Sequence, residues 1–226
     1  MGMTLTLTPT IVIATSTQRF FLPQLSKLNR GTPEGENRFQ YLSAVALELH
    51  FLIAISFVCF IVFFGQFIVG VLLGQKYTEL VSLLTLFSIV QSLRLIKAGP
   101  SVVALANGQT ENSMMSNLPR VFLMPVIYWI ALEVQKLDII LMVSIVGEVT
   151  GLLVALIFLR QRSRVSLRGA VLPGLCTLVI FFLSIYGIIT NFSEFVLASL
   201  LVILLTNFLT MKHLKAYLLR RLSGRA

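Results

Sequence analysis

Long apolar stretches separated by short polar ones dominate this chain. Read with a window of about 19 residues, they centre on 4–21, 43–73, 78–98, 119–134, 138–159, 169–189 and 192–211. Most approach or exceed the roughly 20 residues a helix needs to cross a bilayer. The period-2 alternation that marks a membrane β-barrel is absent. The pattern predicts an all-α, multi-pass transmembrane bundle of about seven spans, forming a single domain over residues 1–226. The first span is the weakest, diluted by Thr4, Thr6, Thr8, Thr10, Thr15, Ser16 and Thr17. The second, about 30 residues or ~45 Å as a helix, must tilt or reach beyond the hydrocarbon. The fourth holds Pro119 and Pro125, which predicts a helix start near the first and a kink at the second.

Composition excludes other classes. The chain is 57% hydrophobic and 12% charged, with mean hydropathy +0.92, whereas soluble domains run near 45–50% and about 25%. A net charge of +9 on a nucleic-acid binder would sit on a polar, soluble domain. None is present, so no nucleic acid is expected and the surplus belongs to loops. Cys59 and Cys176 fall inside apolar runs, away from any CxxC pair or histidine cluster, and read as buried apolar residues. Met1-Gly2-Met3-Thr4 lacks the basic segment of a cleavable signal. G-x-x-x-x-G-K-[ST], H-E-x-x-H and G-x-S-x-G are all missing. No polar loop is long enough to hold a soluble catalytic domain. The chain is therefore expected to be no enzyme, with no catalytic residue, cofactor or metal.

Charge gives the spans a direction. Arg19, Lys27, Arg30 and Arg38 follow span one, and Arg94, Lys97 and Arg120 surround the end of span three. Arg160, Arg162, Arg164 and Arg168 follow span five, while Lys212, Lys215, Arg220, Arg221 and Arg225 form the tail. These are sixteen of the 18 Lys and Arg. The opposite loops hold only Lys76 and Lys136 among the cations, beside the acids Glu79, Glu133, Asp138 and Glu194. The positive-inside rule then puts the C-terminus in the cytoplasm and the N-terminus outside. An N-out start with a weak first span and no signal reads as a piece of a larger transporter.

Two stretches carry a resemblance. One is Phe20-Phe21-Leu22-Pro23-Gln24-Leu25-Ser26-Lys27-Leu28, before the long span from Ala44. The other is Gly70-Val71-Leu72-Leu73-Gly74-Gln75-Lys76-Tyr77, then a span, then Pro100 and Ala104-Leu105-Ala106-Asn107-Gly108-Gln109. The order and spacing of these boxes resemble the C-terminal half of polysaccharide and O-antigen flippases in the multidrug/oligosaccharidyl-lipid/polysaccharide exporter superfamily. The resemblance is strongest over residues 20–125. It implies one lobe of a two-lobe inner-membrane transporter that moves lipid-linked oligosaccharide by alternating access. The N-terminal lobe of that family is missing from this sequence, so a separate lobe or other polysaccharide-assembly proteins are expected partners, besides the lipid bilayer.

Charges at depth are the candidate functional residues, since one at mid-membrane costs about 2.5–3.5 kcal/mol unless paired or wet. Glu148 lies about ten residues from either end of its span, flanked by Gly147 and Gly151, a small-xxx-small pair that admits a neighbouring helix. It reads as a coupling or gating group, or as a neutral hydrogen-bonded residue in a helix interface. Arg94 and Lys97 share a helical face, with Gln91 a turn back. Counted from Tyr77, Arg94 is about 26 Å along its helix, near the cytoplasmic boundary. There Arg94, Lys97 and Arg120 would attract a substrate diphosphate, or simply snorkel to the interface. Glu48 and His50 do not share a face, and His50 reads as a solvated interfacial histidine. Gly70-x-x-x-Gly74 marks either a close-packing face or a helix end.

The preferred reading is the flippase lobe. Two alternatives stay open: a membrane fragment or assembly partner that does not itself transport, and an integral-membrane polysaccharide polymerase or ligase. The last is disfavoured because the outer loops are short and hold no arginine.

Overall fold

Thr32 opens the longest helix of the computed structural model, which describes every residue except Met1, Asn29, Glu79, 190–193 and 224–226. Its extended backbone and its hydroxyl, which accepts from Gly35 N at 3.1 Å, cap α2 (Pro33–Leu72). Pro33 takes a first-turn position where a missing N–H is harmless, and Glu34 and Glu36 lie where the helix dipole favours acids. α2 ends before Gly74, whose φ of +89° suits glycine and whose N–H returns to Val69 O at 3.1 Å. The other helices are α1 (Gly2–Ser26), α3 (Leu80–Ala106), α4 (Glu111–Glu133), α5 (Leu137–Ser163), α6 (Arg168–Ile189), α7 (Glu194–Thr210) and α8 (Lys212–Leu222). A 3-10 turn at Gln75–Tyr77 joins α2 to α3. Among the described residues there is no strand.

Among the described residues five helices, α2 to α6, are each long and apolar enough to cross a bilayer, and α7 with α8, bent by 68°, meets the same test as a pair. The protein is thus a multi-pass helical bundle, with five or six candidate spans in place of the seven expected. The difference is α1 and, in the count of five, also α7, which qualifies only together with α8. In α1 the Thr10 and Thr17 hydroxyls donate to the carbonyls of Thr6 and Ile13, each at 3.0 Å. The hydroxyls are satisfied, yet the stretch stays less apolar than a spanning helix. Glu79, the start of the seventh expected span and Arg225 lie outside the described residues.

Helix boundaries also move. α2 begins ten residues before the expected 43, and α4 begins at Glu111 and runs through Pro119 instead of starting there. Both extra segments are polar, so hydropathy does not register them. Gly70 proves to be no packing face, since a side chain there would meet open space, and Gly74 is a helix end.

α2 and α3 pack along each other at the centre. α1 and α5 lie on α3, α4 on α5, and α6, α7 and α8 on α2. Phe51, Ile55, Ile89, Leu93, Ile96, Leu159 and Ile180 form the middle of the core. In a bilayer, lipid tails are as apolar as these side chains, so close packing and polar cross-links must fix the arrangement. Ser92 Oγ donates to Ala54 O at 3.0 Å, joining α3 to α2. His50, expected to be solvated, is buried instead. Its Nε2 meets Thr17 Oγ1 at 3.1 Å and its Nδ1 meets Ala46 O at 2.7 Å. The early start of α2 carries position 50 well into the bundle, and α1 covers it.

The loops after α1, α3 and α5 meet at one end. Arg30 grips Glu36 through Nε at 2.7 Å and Nη2 at 3.0 Å, donates from Nη1 to Asn107 Oδ1 at 2.5 Å, and reaches Ser163 O at 3.1 Å. Its guanidinium lies 4.3 Å from the Phe39 ring centre. Gln40 ties in the loop after α5, donating to Arg164 O and accepting from Ser166 N, each at 3.0 Å. Asn107 can reach Arg30 because Gly108, at φ +74°, turns the chain sharply after α3.

Candidate functional site

Three helices converge at mid-length. Arg94 and Lys97 stand one turn apart on α3, Asn117 and Arg120 one turn apart on α4, and Glu148 lies on α5 between Gly147 and Gly151. Gly151 makes the meeting possible. A Cβ on Gly147 would approach Leu123 Cδ1 to 3.0 Å, and one on Gly151 would collide with the Ser116 carbonyl oxygen. The small-xxx-small pair read from the sequence is therefore the seat of α4 on α5.

Glu148 is the root of the cluster, with 1% of its side chain exposed. Its Oε1 accepts from Arg94 Nε at 2.7 Å and its Oε2 from Lys97 Nζ at 2.8 Å, while Arg120 Nη1 stands 3.7 Å from Oε1. Lys97 also donates to Asn117 Oδ1 at 2.9 Å, and Arg94 Nη1 reaches Gln91 Oε1 at 3.5 Å. One carboxylate thus faces three cations, leaving two positive charges uncompensated within the cluster. Exposure rises outward, from 10% at Lys97 to 26% at Arg94 and 42% at Arg120. The carboxylate positions the buried amine, and the two guanidiniums form an accessible rim suited to phosphate or carboxylate oxygens.

All four candidates read from the sequence meet here, but not where expected. Arg94 lies about 18 Å from the C-terminal end of α3, because the helix continues through Pro100 to Ala106. Arg120 is nine residues into α4, not at its start. Both stand with Glu148 in one cluster at the middle of the bundle. Asn117 is the member that sequence reading missed. Its signal was its i, i+3 spacing from Arg120.

A second polar junction anchors the C-terminal helix. Glu48 Oε2 accepts from Leu214 N, in the first turn of α8, at 2.7 Å, and Oε1 lies 2.8 Å from His213 Nδ1. Glu48 thus faces α8 while His50 faces α1, as their i, i+2 spacing requires. Among the described residues, no three His, Cys, Asp or Glu side chains gather in a metal-binding group. Cys59 is buried and Cys176 half-buried, and both thiols are free.

Compared with known proteins, the chain matches no family model, no curated protein sequence and no solved structure. Fold and site define it as a multi-pass α-helical membrane protein with a cation-rich polar cluster among α3, α4 and α5.

Proposed function

We propose that this chain is a lobe of a flippase that moves lipid-linked oligosaccharide, carried on a diphosphate, across the inner membrane. The observation that carries the reading is the surplus of guanidinium and ammonium groups around Glu148. Such a cluster at mid-bundle is costly unless it serves a polar cargo or a neighbouring helix surface. Arg94 and Arg120 present planar forks to the diphosphate, Lys97 is held by Glu148 and Asn117, and the carboxylate keeps the three cations together when no cargo is bound. The role needs no covalent chemistry. Rocking of helix groups would expose the cluster alternately to the two sides, with the C-terminus cytoplasmic and the N-terminus outside. A second lobe would complete the cavity on the exposed side of α4, where Phe122, Tyr128 and Trp129 are uncovered.

The test is binding of a polyprenyl-diphosphate sugar to the full chain in lipid nanodiscs. Binding should exceed that of the matching polyprenyl alcohol, and Arg120→Gln should weaken it about tenfold, the worth of one charge-assisted hydrogen bond. Equal affinity for the alcohol, or unchanged binding by the Arg120→Gln protein, would overturn the proposal.

A further inference from the structure

A second basic site lies at the end of the bundle, away from Glu148. α8 turns 68° from α7 and packs along the first half of α2, held there by the Glu48 cap and by Tyr41 Oη, which donates to His213 O at 3.3 Å. Between α8, the end of α1 and the start of α2 runs a groove of about 540 Å³, lined by Gln24, Arg38, Tyr41, Tyr217, Arg220 and Arg221. Its volume falls in the range of small-molecule sites and well exceeds what a bare phosphate fills.

The arginines are pre-positioned by aromatic rings. The Arg220 guanidinium stands 5.8 Å from the Tyr41 ring centre, and that of Arg221 stands 5.0 Å from Phe20 and 6.0 Å from Tyr217. Cation–π contacts hold these forks without using their N–H donors. Among the described residues, no acid pairs with Arg220 or Arg221, and Arg38 has the exposed Glu34 at 3.7 Å. Three guanidiniums in one groove call for a multiply bonding anion, for which phosphate oxygens have the matching geometry.

The surroundings decide the source of that phosphate. Leu218, Leu219 and Leu222 of α8 are exposed beside the arginines. An amphipathic helix with basic and apolar residues together lies in the headgroup layer, its leucines among acyl chains. We propose that the groove seats the phosphate of an anionic phospholipid, with Gln24 and the Tyr217 hydroxyl facing the rest of the headgroup and the α8 leucines facing its tails. The site is distinct from the Glu148 cluster and does not depend on the transport reading.

The experiment uses the full chain purified in detergent. Native mass spectrometry and thermal unfolding are followed with phosphatidylglycerol, phosphatidylcholine or inorganic phosphate added. Phosphatidylglycerol should remain bound and raise the unfolding temperature, whereas phosphatidylcholine should not. Arg220→Gln with Arg221→Gln should weaken retention about 30-fold, from the usual contribution of two basic residues at a membrane surface. Arg160→Gln with Lys212→Gln removes the same charge from exposed positions outside the groove and should leave retention near native. Arg220→Lys with Arg221→Lys keeps charge but loses the planar forks, and should fall between. Unfolding of all three variants without lipid shows whether each is folded. Equal losses in the groove and control variants, with both folded, would overturn the site in favour of diffuse attraction. Displacement of the lipid by inorganic phosphate, with equal stabilisation, would overturn the lipid as its occupant.

Discussion

The backbone carbonyl of Ser116 stands where a side chain on Gly151 would have to go. α4 therefore reaches α5 closely enough that even a methyl group is excluded, and this contact sets Asn117 and Arg120 beside Lys97 and Glu148. Glycine to alanine within a helix ordinarily gains about 1 kcal/mol. At Gly151 the obstructing atom is backbone, so the helices must part, at a cost of about 1–3 kcal/mol. At Gly147 the nearest atom is the flexible end of Leu123, which can rotate away. Gly151→Ala should lower the unfolding temperature in detergent, while Gly147→Ala should leave it unchanged or raise it. A native unfolding temperature for Gly151→Ala would refute the close approach.

Arg30 joins three loops through one side chain. Arg30→Ala removes two hydrogen bonds to the Glu36 carboxylate along with those to Asn107 and Ser163. The expected loss is about 2–3 kcal/mol. Lysine cannot supply the fork, so Arg30→Lys should recover less than half of it. Unfolding measurements, with protease cleavage rates in the loop between α1 and α2, would check the order native, lysine, alanine.

The bundle was legible in the chain because apolar stretches of spanning length depend on composition alone. Its polar cluster was half legible. Arg94, Lys97, Arg120 and Glu148 each stood out through the cost of charge at depth, yet their pairing was hidden. Arg94 and Lys97, followed by Gly99-Pro100-Ser101, lowered the local hydropathy and cut span three short at 98, although the helix continues to Ala106. Likewise, nothing local to His50 announced that Thr17, 33 residues earlier, would cover it. The cap that Glu48 gives α8 spans 166 residues and is equally invisible to a local reading.

That cap has its own consequence. Glu48→Ala leaves the buried Leu214 N–H without its acceptor and should free the first turn of α8, at about 1–2 kcal/mol. Glu48→Gln keeps a carbonyl oxygen that can accept the same bond, so its effect should be smaller. Trypsin cleavage after Lys212 or Lys215 reports the difference. It should be fastest in the alanine variant and near native in the glutamine variant, and equal rates in all three would show that α8 is held by other contacts.

Whether the Glu148 cluster is an anchor or a binding site turns on how its cations share the carboxylate. Glu148→Gln leaves Arg94 and Lys97 without a counter-charge at mid-bundle and should cost about 3–5 kcal/mol. Lys97→Met alone removes a buried partner and is also costly. Made together, the two changes remove charge from both sides, so the double variant should be more stable than the sum of the single losses by about 1–3 kcal/mol. Arg120 should behave differently. It stands 3.7 Å from Oε1 and is 42% exposed, so Arg120→Gln should change stability by less than about 1 kcal/mol. Unfolding of the four variants in one detergent provides the comparison. If Arg120→Gln costs as much as Lys97→Met, its guanidinium is spent on the fold and is not free for a diphosphate. The transport reading would then lose the group on which it most depends.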